Sequence, residues 1–368
     1  MPVNSVAFIL NAHLPFVRHP EYPRFLEEDW LFESISESYL PLLRMFNKLK
    51  AEKIPFKFTI SLSPTLCCML VDPVLQERFV QYLERLIELG EKEVERCGKE
   101  QPEFLEMARF YLDQAKRNLS DYQDIYRTNI LDGFKALESS GHLELITTAA
   151  THAYLPLYKE YPTAINAQIE LGVQSFLTTF GHLPKGFWLP ECGYYPGLEE
   201  NLKYHGISWF QTASQSMLLS PDKVQYGDYR PVRCPNGVAA FPRDFQGTSL
   251  VWSNTSGYPA DKTYREFYRD IGYDLPMEYI KPYIHEPAVR VFTGYKYWAI
   301  TGHTDQKVPY QRSEAQKKVV EHARNFIYNL KKKGRQLSAA MDAEPLYTLA
   351  YDAELFGHWW FEGIDWLE

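Results

Sequence analysis

Short apolar segments recur along the chain and alternate with segments of helical periodicity. The apolar segments are bounded by turn residues and rich in β-branched and aromatic side chains, which predicts strands over 5–10, 56–62, 144–149, 186–189, 208–212, 289–293 and 346–350. Apolar residues three and four apart predict helices over 26–50, 164–180, 197–204 and 313–333. Strands that alternate with helices indicate an α/β fold with a parallel sheet or a barrel.

Residues 72–138 interrupt this alternation, because they are charged and carry no strand pattern. Leu75, Phe79, Leu83 and Leu86 recur at helical spacing and define one apolar face. We therefore predict a helical hairpin over 72–138, inserted into a β/α catalytic domain formed by residues 1–71 and 139–368.

Polar residues follow most of the predicted strands. In a parallel β/α barrel, the carboxyl ends of the strands converge on one face and carry the active site. We therefore expect one polar site to be built from residues that are far apart in the sequence: His13, Ser63, His152, Glu191, Gln211, Thr212, Asp352 and Glu354.

Glu191 and Asp352 are the most informative of these residues. A pair of carboxylates permits glycoside chemistry, in which one attacks the anomeric carbon or activates water and the other protonates the leaving oxygen. Glu354 adds a like charge two residues from Asp352, and such a charge raises a carboxyl pKa. Taken alone, these residues are equally consistent with structural roles, in which Glu191 caps a helix and Asp352 is an ordinary carboxylate at a strand end.

The composition narrows the class of protein. The chain has 368 residues and is 45% hydrophobic and 23% charged, as expected of a globular protein. Its net charge of −8 argues against a nucleic-acid partner. Aromatic residues make up 15% of the chain, an excess that suits a site stacking sugar rings.

The remaining motifs exclude several other kinds of site. His13, His142, His152 and His358 raise the alternative of a metal-dependent polysaccharide deacetylase, but no HxxxH or HExxH spacing is present, so we predict no metal. No GxGxxG, GxxxxGK[ST] or GxSxG motif occurs, and we predict no cofactor. The five cysteines form no CxxC pair. The first residues lack a basic leader and no apolar run has the length of a membrane span, so we expect a cytoplasmic protein without a membrane partner.

Four segments together resemble the family 57 glycoside hydrolases, and within them the 1,4-α-glucan branching enzymes. They are NAHLPFVRHPEYPRFLEEDWLFE, GHLELITTAATHAYLPL, FWLPECGYYPGLE and YDAELFGHWWFEG. The resemblance implies a distorted TIM-like (β/α)7 barrel with a helical insertion after the second strand. It also implies a retaining mechanism on α-1,4-glucans such as amylose, glycogen or starch, which serve as donor and acceptor. Glu191 is then the nucleophile and Asp352 the general acid/base.

The same resemblance implies further substrate-binding residues. His13 contacts the sugar, Trp30 forms an aromatic wall, and Tyr226 lies in a loop that covers the site. His152 and Arg265 bond the sugar or the carboxylates. Trp298 stands where branching enzymes often have a histidine, and we expect it to bind substrate together with two residues near Asp352, His358 and Trp360.

The chain ends soon after Asp352, whereas the similar enzymes continue. We therefore expect the barrel to lack its C-terminal part, with an unpaired strand edge and exposed apolar surface. α-Amylase and 4-α-glucanotransferase activities of the same family, and a non-catalytic glucan-binding remnant, are the alternative functions.

Overall fold

The computed structural model describes residues 5–285, 289–302 and 304–368. Its strands are β1 (Ser5–Ala12), β2 (Phe58–Leu62), β3 (Leu143–Thr148), β4 (Gly186–Trp188), β5 (Trp209–Thr212), β6 (Val232–Arg233), β7 (Ala239–Pro242) and β8 (Leu346–Asp352). Its α-helices are α1 (Glu28–Ser34), α2 (Leu40–Ala51), α3 (Pro64–Leu70), α4 (Pro73–Glu100), α5 (Leu105–Ser120), α6 (Leu131–Ser139), α7 (Pro162–Phe180), α8 (Leu198–Tyr204), α9 (Gln215–Leu218), α10 (Phe245–Trp252), α11 (Ile271–Asp274), α12 (Met277–Ile280), α13 (Arg312–Ala340) and α14 (Gly363–Leu367).

The strands form one curled sheet in the order β6-β7-β5-β4-β3-β2-β1-β8. Only β6 is antiparallel to its neighbour, so the other strands form a parallel set whose two ends are β7 and β8. Arg243, directly after β7, forms a parallel bridge to Thr348 in β8, and the Asp244 N–H donates to the Thr348 carbonyl oxygen at 2.7 Å. These contacts bring the two ends of the parallel set together, which gives the distorted TIM-like (β/α)7 architecture.

The main apolar core lies between the outer face of the sheet and the helices. Leu10 of β1 and Leu62 of β2 are at most 1% exposed and belong to the same cluster as Phe46 of α2 and Phe79 of α4. The helix predicted over 26–50 is divided, because a π-helical turn over Ile35–Tyr39 joins α1 to α2. Residues of this turn, Glu37 and Tyr39, approach the site described below.

Helices α4 and α5 pack against each other along the stretch that was predicted to be a helical hairpin. Asp72 caps α4, since its Oδ1 accepts hydrogen bonds from the backbone N–H groups of Val74 and Leu75 at 2.9 and 3.1 Å. The Tyr111 hydroxyl of α5 donates to the Lys296 carbonyl oxygen at 2.7 Å. The division into a barrel and an inserted region stays a prediction.

One strand prediction was wrong and two strands were missed. Residues 289–293 form no strand beyond a single bridge at Val289. The Asp270 carboxylate accepts hydrogen bonds from the N–H and hydroxyl of Thr293 at 2.9 and 2.8 Å, so a side chain satisfies this backbone instead of a neighbouring strand. The missed strands are β6 and β7, a hairpin joined through Asn236 and Gly237.

Candidate active site

The interior of the barrel is apolar below its mouth, by which we mean the end where the carboxyl ends of the parallel strands lie. One buried cluster contains Cys192 and one residue from each of four strands, namely Ile9, Ile146, Trp188 and Ala350. Side chains two residues apart on a strand point the same way. Asn11, Thr148 and Asp352 therefore lie directly above this cluster and form the polar floor of the mouth.

Asp352 is the last residue of β8 and is half-buried. Its Cα is paired with that of Asn11, whose side-chain amide donates to the Asp352 Oδ1 at 3.4 Å. Burial raises the pKa of the Asp352 carboxyl above its ordinary value, and the negative charge of Glu191 raises it further, against the opposing effects of Asn11 and Arg243. A raised pKa is the shift that a proton donor requires.

Glu191 lies in a short 3-10 turn, Pro190–Cys192, that follows β4. Its backbone is left-handed at φ 52°, and Cys192 follows at φ 57°. Such a conformation costs a non-glycine residue on the order of 1–3 kcal/mol, so the surrounding structure must maintain it. The Cys192 N–H donates to the Leu189 carbonyl oxygen at 2.8 Å, and the Thr212 hydroxyl donates to the Cys192 carbonyl oxygen at 3.1 Å. The result is an exposed Glu191 side chain.

The two carboxylates lie near each other at the mouth, since the charge of Glu191 acts on Asp352. Strands β3, β2 and β1 lie between β4 and β8 in the curled sheet. Burial is the largest cause of a raised pKa of the Cys192 thiol, and the charges of Asp352 and Glu191 both add to it. The structure therefore brings the two predicted catalytic residues close enough for the charge of Glu191 to raise the pKa of Asp352.

His13 and His152 also meet in the mouth, with their rings stacked at 3.9 Å between centroids and 17° between planes. Burial lowers the pKa of His13 to about 4 and that of His152 to about 3, where the charge of His13 contributes as well. Both rings are therefore neutral at pH 7 and can donate and accept hydrogen bonds. The His152 Nδ1 lies 3.3 Å from the Thr148 hydroxyl, while the buried His13 Nδ1 has no hydrogen-bond partner among the described residues.

Glu354 is a buried hydrogen-bond acceptor next to the site. Its side chain is buried, and its Oε1 accepts hydrogen bonds from the Tyr39 hydroxyl and from the His13 backbone N–H, the latter at 3.2 Å. Burial raises the pKa of Glu354 to about 8, and the charge of Asp352 adds to this. Glu354 therefore carries a proton at pH 7 and fixes the backbone of His13 beside the site.

Arg265 and His358 lie behind the mouth rather than in it. The His358 Nδ1 is 2.7 Å from a Glu37 carboxylate oxygen. The buried Arg265 guanidinium donates to the His358 carbonyl oxygen at 3.3 Å and to the Tyr111 hydroxyl at 3.5 Å. These contacts connect α5 to the segment after β8, and the described structure gives neither side chain a hydrogen bond to Glu191 or Asp352.

Trp30 and Trp360 differ in exposure. Trp30, on α1, is 49% exposed and available to a ligand. Trp360 is 2% exposed, and its ring packs against Trp366 at 5.6 Å between centroids. The structure therefore places Trp360 in the core, where it supports the segment after β8.

Trp298 and Tyr226 form contacts away from the carboxylate pair. The Trp298 Nε1 donates to the Asp274 Oδ2 at 3.2 Å. The Tyr226 hydroxyl donates to Asp342, which precedes the first residue of β8 and so lies toward the opposite end of that strand from Asp352. The described structure gives neither residue a hydrogen bond to Glu191 or Asp352, and Trp298 instead lies next to the backbone of Arg265, where the Glu266 N–H donates to the Trp298 carbonyl oxygen at 2.8 Å.

Sequence reasoning missed Asn11, Thr148 and Arg243, although the signal for the first two was available. Each stands two residues beyond an apolar interior residue of its strand, at Ile9 and Ile146, so strand alternation alone directs both to the mouth. The Arg243 Nε donates to the Ala350 carbonyl oxygen at 3.1 Å, and this contact required knowledge of β7.

The described residues contain neither a metal-holding cluster nor a membrane-spanning helix. No group of three or more His, Cys, Asp or Glu side chains within 5–285, 289–302 and 304–368 is arranged to hold a metal ion. Across the same residues, we find no helix with the length and apolar character required to cross a membrane.

Comparison with known proteins gives consistent matches. The model of the family described as glycosyl hydrolase family 57 matches residues 7–332. A 1,4-alpha-glucan branching enzyme of Thermococcus kodakarensis is 33% identical over 98% of this chain and 54% of its own length. The chain thus spans about half of that relative.

Solved structures of similar proteins match the fold closely. The alpha-amylase AmyC from Thermotoga maritima is 45% identical with a TM-score of 0.95, covering 100% of this chain and 70% of its own. A branching enzyme from Pyrococcus horikoshii is 33% identical with a TM-score of 0.85, covering 99% of this chain and 66% of its own.

Proposed function

The chain belongs to glycosyl hydrolase family 57, and from that premise we propose that it is a retaining α-glucan-active enzyme whose chemistry is carried by Glu191 and Asp352. The observation that supports this most is the carboxylate pair at the mouth. Burial and the charge of Glu191 raise the pKa of Asp352, the direction that a general acid requires.

The mechanism divides the reaction into two steps. Asp352 donates its proton to the glycosidic oxygen while a Glu191 oxygen bonds to the anomeric carbon, so the leaving chain departs as an alcohol and a glycosyl ester remains. In the second step Asp352, now ionised, takes the proton of a second hydroxyl. The oxygen of that hydroxyl bonds to the anomeric carbon, and the ester bond between that carbon and Glu191 breaks. If that hydroxyl is the 6-hydroxyl of another glucan, a branch forms, and if it is water, the chain is hydrolysed.

His13 and His152 are suited to the sugar that occupies the mouth. Because both rings are neutral, they bind hydroxyl groups without adding a positive charge that would stabilise the ionised form of Asp352. Asn11 acts on the same carboxyl by donating to its Oδ1.

Formation of α-1,6 branches in α-1,4-glucan is the activity we propose first, since similarity to the branching enzymes extends over nearly the whole chain. α-Amylase activity is the second candidate, because AmyC is similar at 45% identity and a TM-score of 0.95. The two activities share both steps and differ in which hydroxyl completes the second.

The test is incubation with amylose, followed by two measurements: chain lengths after enzymatic debranching, and reducing ends released. Branches with few reducing ends support branching, and reducing ends without branches support an α-amylase. Glu191→Gln should lose activity about 10³-fold or more while keeping its thermal transition. The matched control is Glu200→Gln, an exposed carboxylate on α8, which should behave as wild type.

Chemical rescue identifies the nucleophile directly. With azide, Glu191→Gly should regain activity and form a β-glycosyl azide, since azide attacks from the face that the carboxylate used. Wild-type rates in Glu191→Gln, or no turnover of any α-glucan by the wild type, would overturn the proposed function.

A further inference from the structure

The turn that carries Glu191, by which we mean residues 189–193, has a backbone that its side chains do not favour. Glu191 has φ 52° and Cys192 has φ 57°, so two consecutive residues with side chains occupy the left-handed region that favours glycine. Two backbone hydrogen bonds of 2.8 and 3.0 Å close the turn from within. A conformation of this kind persists only where further groups fix it.

Strand β5 supplies contacts to the turn from outside it. The Thr212 hydroxyl donates to the Cys192 carbonyl oxygen at 3.1 Å, and the Gln211 side-chain amide donates to the Cys192 Sγ at 3.4 Å. Thr212 and Gln211 are both 0% exposed, so water does not compete for these bonds. The Ser216 hydroxyl lies 2.9 Å from the Thr212 hydroxyl. Because Thr212 gives its only proton to Cys192, Ser216 is the donor in this contact, and the three groups form one chain of hydrogen bonds.

The pairing of the strands explains why β5 reaches this turn. The Cα of Gln211 is paired with that of Trp188, the last residue of β4, so β5 lies alongside the point where the turn begins. On the other side, the Thr148 hydroxyl of β3 donates to the Trp188 carbonyl oxygen at 2.8 Å, which fixes the end of the strand but not the left-handed residues after it. Over 190–193, the side-chain hydrogen bonds that the described residues provide come from Thr212 and Gln211.

We propose that Thr212, assisted by Gln211 and Ser216, is a positioning residue for the nucleophile, because its hydroxyl holds the Cys192 carbonyl and thereby sets the direction of the Glu191 side chain. The inference rests on the proposed function, which assigns to Glu191 the attack on the anomeric carbon. Thr212 donates its proton to the backbone of the turn and acts on the reaction only through that backbone. The effect is large for a single bond, since an error of about 1 Å in the position of a reacting group costs about 10²-fold in rate.

An activated donor isolates the step that Glu191 performs. With α-maltosyl fluoride, a Glu191 oxygen bonds to the anomeric carbon while the carbon–fluorine bond breaks, and fluoride leaves with the bonding electron pair. In Glu191→Gly, added azide bonds to the same carbon and fluoride leaves in the same way. The single-turnover rate of fluoride release therefore reports attack by the carboxylate in the first protein and attack by azide in the second.

Thr212→Val removes the hydroxyl and keeps the shape of the side chain. It should lower the single-turnover rate about tenfold or more, with half-saturation by the donor within about twofold of wild type. Thr212→Ser keeps the hydroxyl and should stay within about threefold of wild type. In Glu191→Gly with azide, adding Thr212→Val should change the rate by less than about twofold, since the group that Thr212 positions is absent.

The matched control is Thr178→Val on α7. This substitution also removes a hydroxyl that donates to a backbone carbonyl oxygen, that of Gln174 at 2.9 Å, but it does so at an exposed position outside the site. It should change neither the rate of the wild-type background nor that of the azide-rescued background.

Three results overturn the positioning role: a wild-type rate in Thr212→Val, a Thr212→Ser variant as slow as Thr212→Val, or an equal loss from Thr212→Val in the azide-rescued background. The last result would mean that Thr212 acts on the donor or on the fold rather than through Glu191. Thermal melting is recorded for each variant. If Thr212→Val does not fold, Ser216→Ala replaces it, with an expected loss of about threefold that likewise disappears in the rescued background.

Failure of the proposed function gives a different result. Glu191→Gly would then release fluoride at the wild-type rate without azide, or azide would not restore its activity. Either outcome removes the nucleophile role of Glu191, and the positioning role of Thr212 is overturned with it.

Discussion

Replacing Glu354 by glutamine should stabilise the protein, and increasingly so as the pH rises. Glu354 is 7% exposed, and its Oε1 accepts hydrogen bonds from the Tyr39 hydroxyl and the His13 N–H. Glutamine has the same shape and keeps that acceptor oxygen, but it cannot ionise. The substitution therefore removes only the cost of a buried negative charge beside Asp352.

The magnitude follows from the two pKa values. The Glu354 pKa rises from 4.5 to about 8 in the folded protein, mainly through burial. Because the folded state retains this proton more tightly, the stability contributed by the group is complete below pH 4.5 and is lost as the pH rises through 8. At about 1.4 kcal/mol per pH unit, the loss is about 3 kcal/mol at pH 7 and approaches about 5 kcal/mol at pH 9.

Urea unfolding of the wild type and Glu354→Gln at pH 5, 6, 7, 8 and 9 measures this difference. The free energy of unfolding of the variant minus that of the wild type should be near zero at pH 5 and become more positive with each step. Other buried acids titrate in both proteins and cancel in the difference. Glu200→Gln, an exposed control, should give a flat line. A flat line for Glu354→Gln would refute the reasoning, and so would a difference that becomes more negative with pH.

Three further variants test other parts of the site. Asp352→Asn should lower turnover about 10²–10⁴-fold and remove the basic-side fall of the pH–rate profile, because the proton donor with the raised pKa is gone; an unchanged basic limb would contradict its role. Gly193→Ala should raise the KM for amylose about fivefold, because the new Cβ would lie 2.3 Å from the Tyr154 ring and displace that ring beside Glu191. The control is Gly98→Ala, where no atom lies nearer than 4.0 Å to the new Cβ; it should leave the kinetics unchanged and add about 1 kcal/mol of helix stability. The pKa of His152 falls to about 3 on folding, so the free energy of unfolding of the wild type decreases as the pH falls below 6.5. Urea unfolding of His152→Asn should show a less steep decrease of that free energy over the same pH range.

The fold was predictable where strands are continuous apolar segments. Strands β1, β2, β3, β5 and β8 lie within two residues of the predicted bounds, because each buries residues on both faces of a parallel sheet. Strand β7 has the sequence AAFP, too short and too rich in alanine for such a pattern. The Asn236–Gly237 dipeptide is a hairpin signal, and Gly237 has φ 91°, so β6 and β7 could have been found from the turn.

The candidate site was predictable to the extent that strand ends converge. Asp352 and His13 come from opposite ends of the chain, yet β1 pairs with β8 and the Glu354 carboxyl accepts a hydrogen bond from the His13 N–H. The position of each residue relative to its strand end was sufficient to place it in the mouth. Glu191 was likewise found from its place after β4, although its left-handed backbone was not.

Side-chain direction outside the strands was not predictable, and this explains the differences among the aromatic residues. Trp359 and Trp360 are adjacent in a segment without regular periodicity, so the sequence provides no rule for which of them is buried. The answer depends on distant partners: Trp366 packs against Trp360, and Phe267 supports Trp359 from a loop more than ninety positions earlier in the chain. A polar or aromatic residue at a strand end can therefore be assigned from alternation, whereas one in a connecting segment can be assigned only when the residues that pack against it are known.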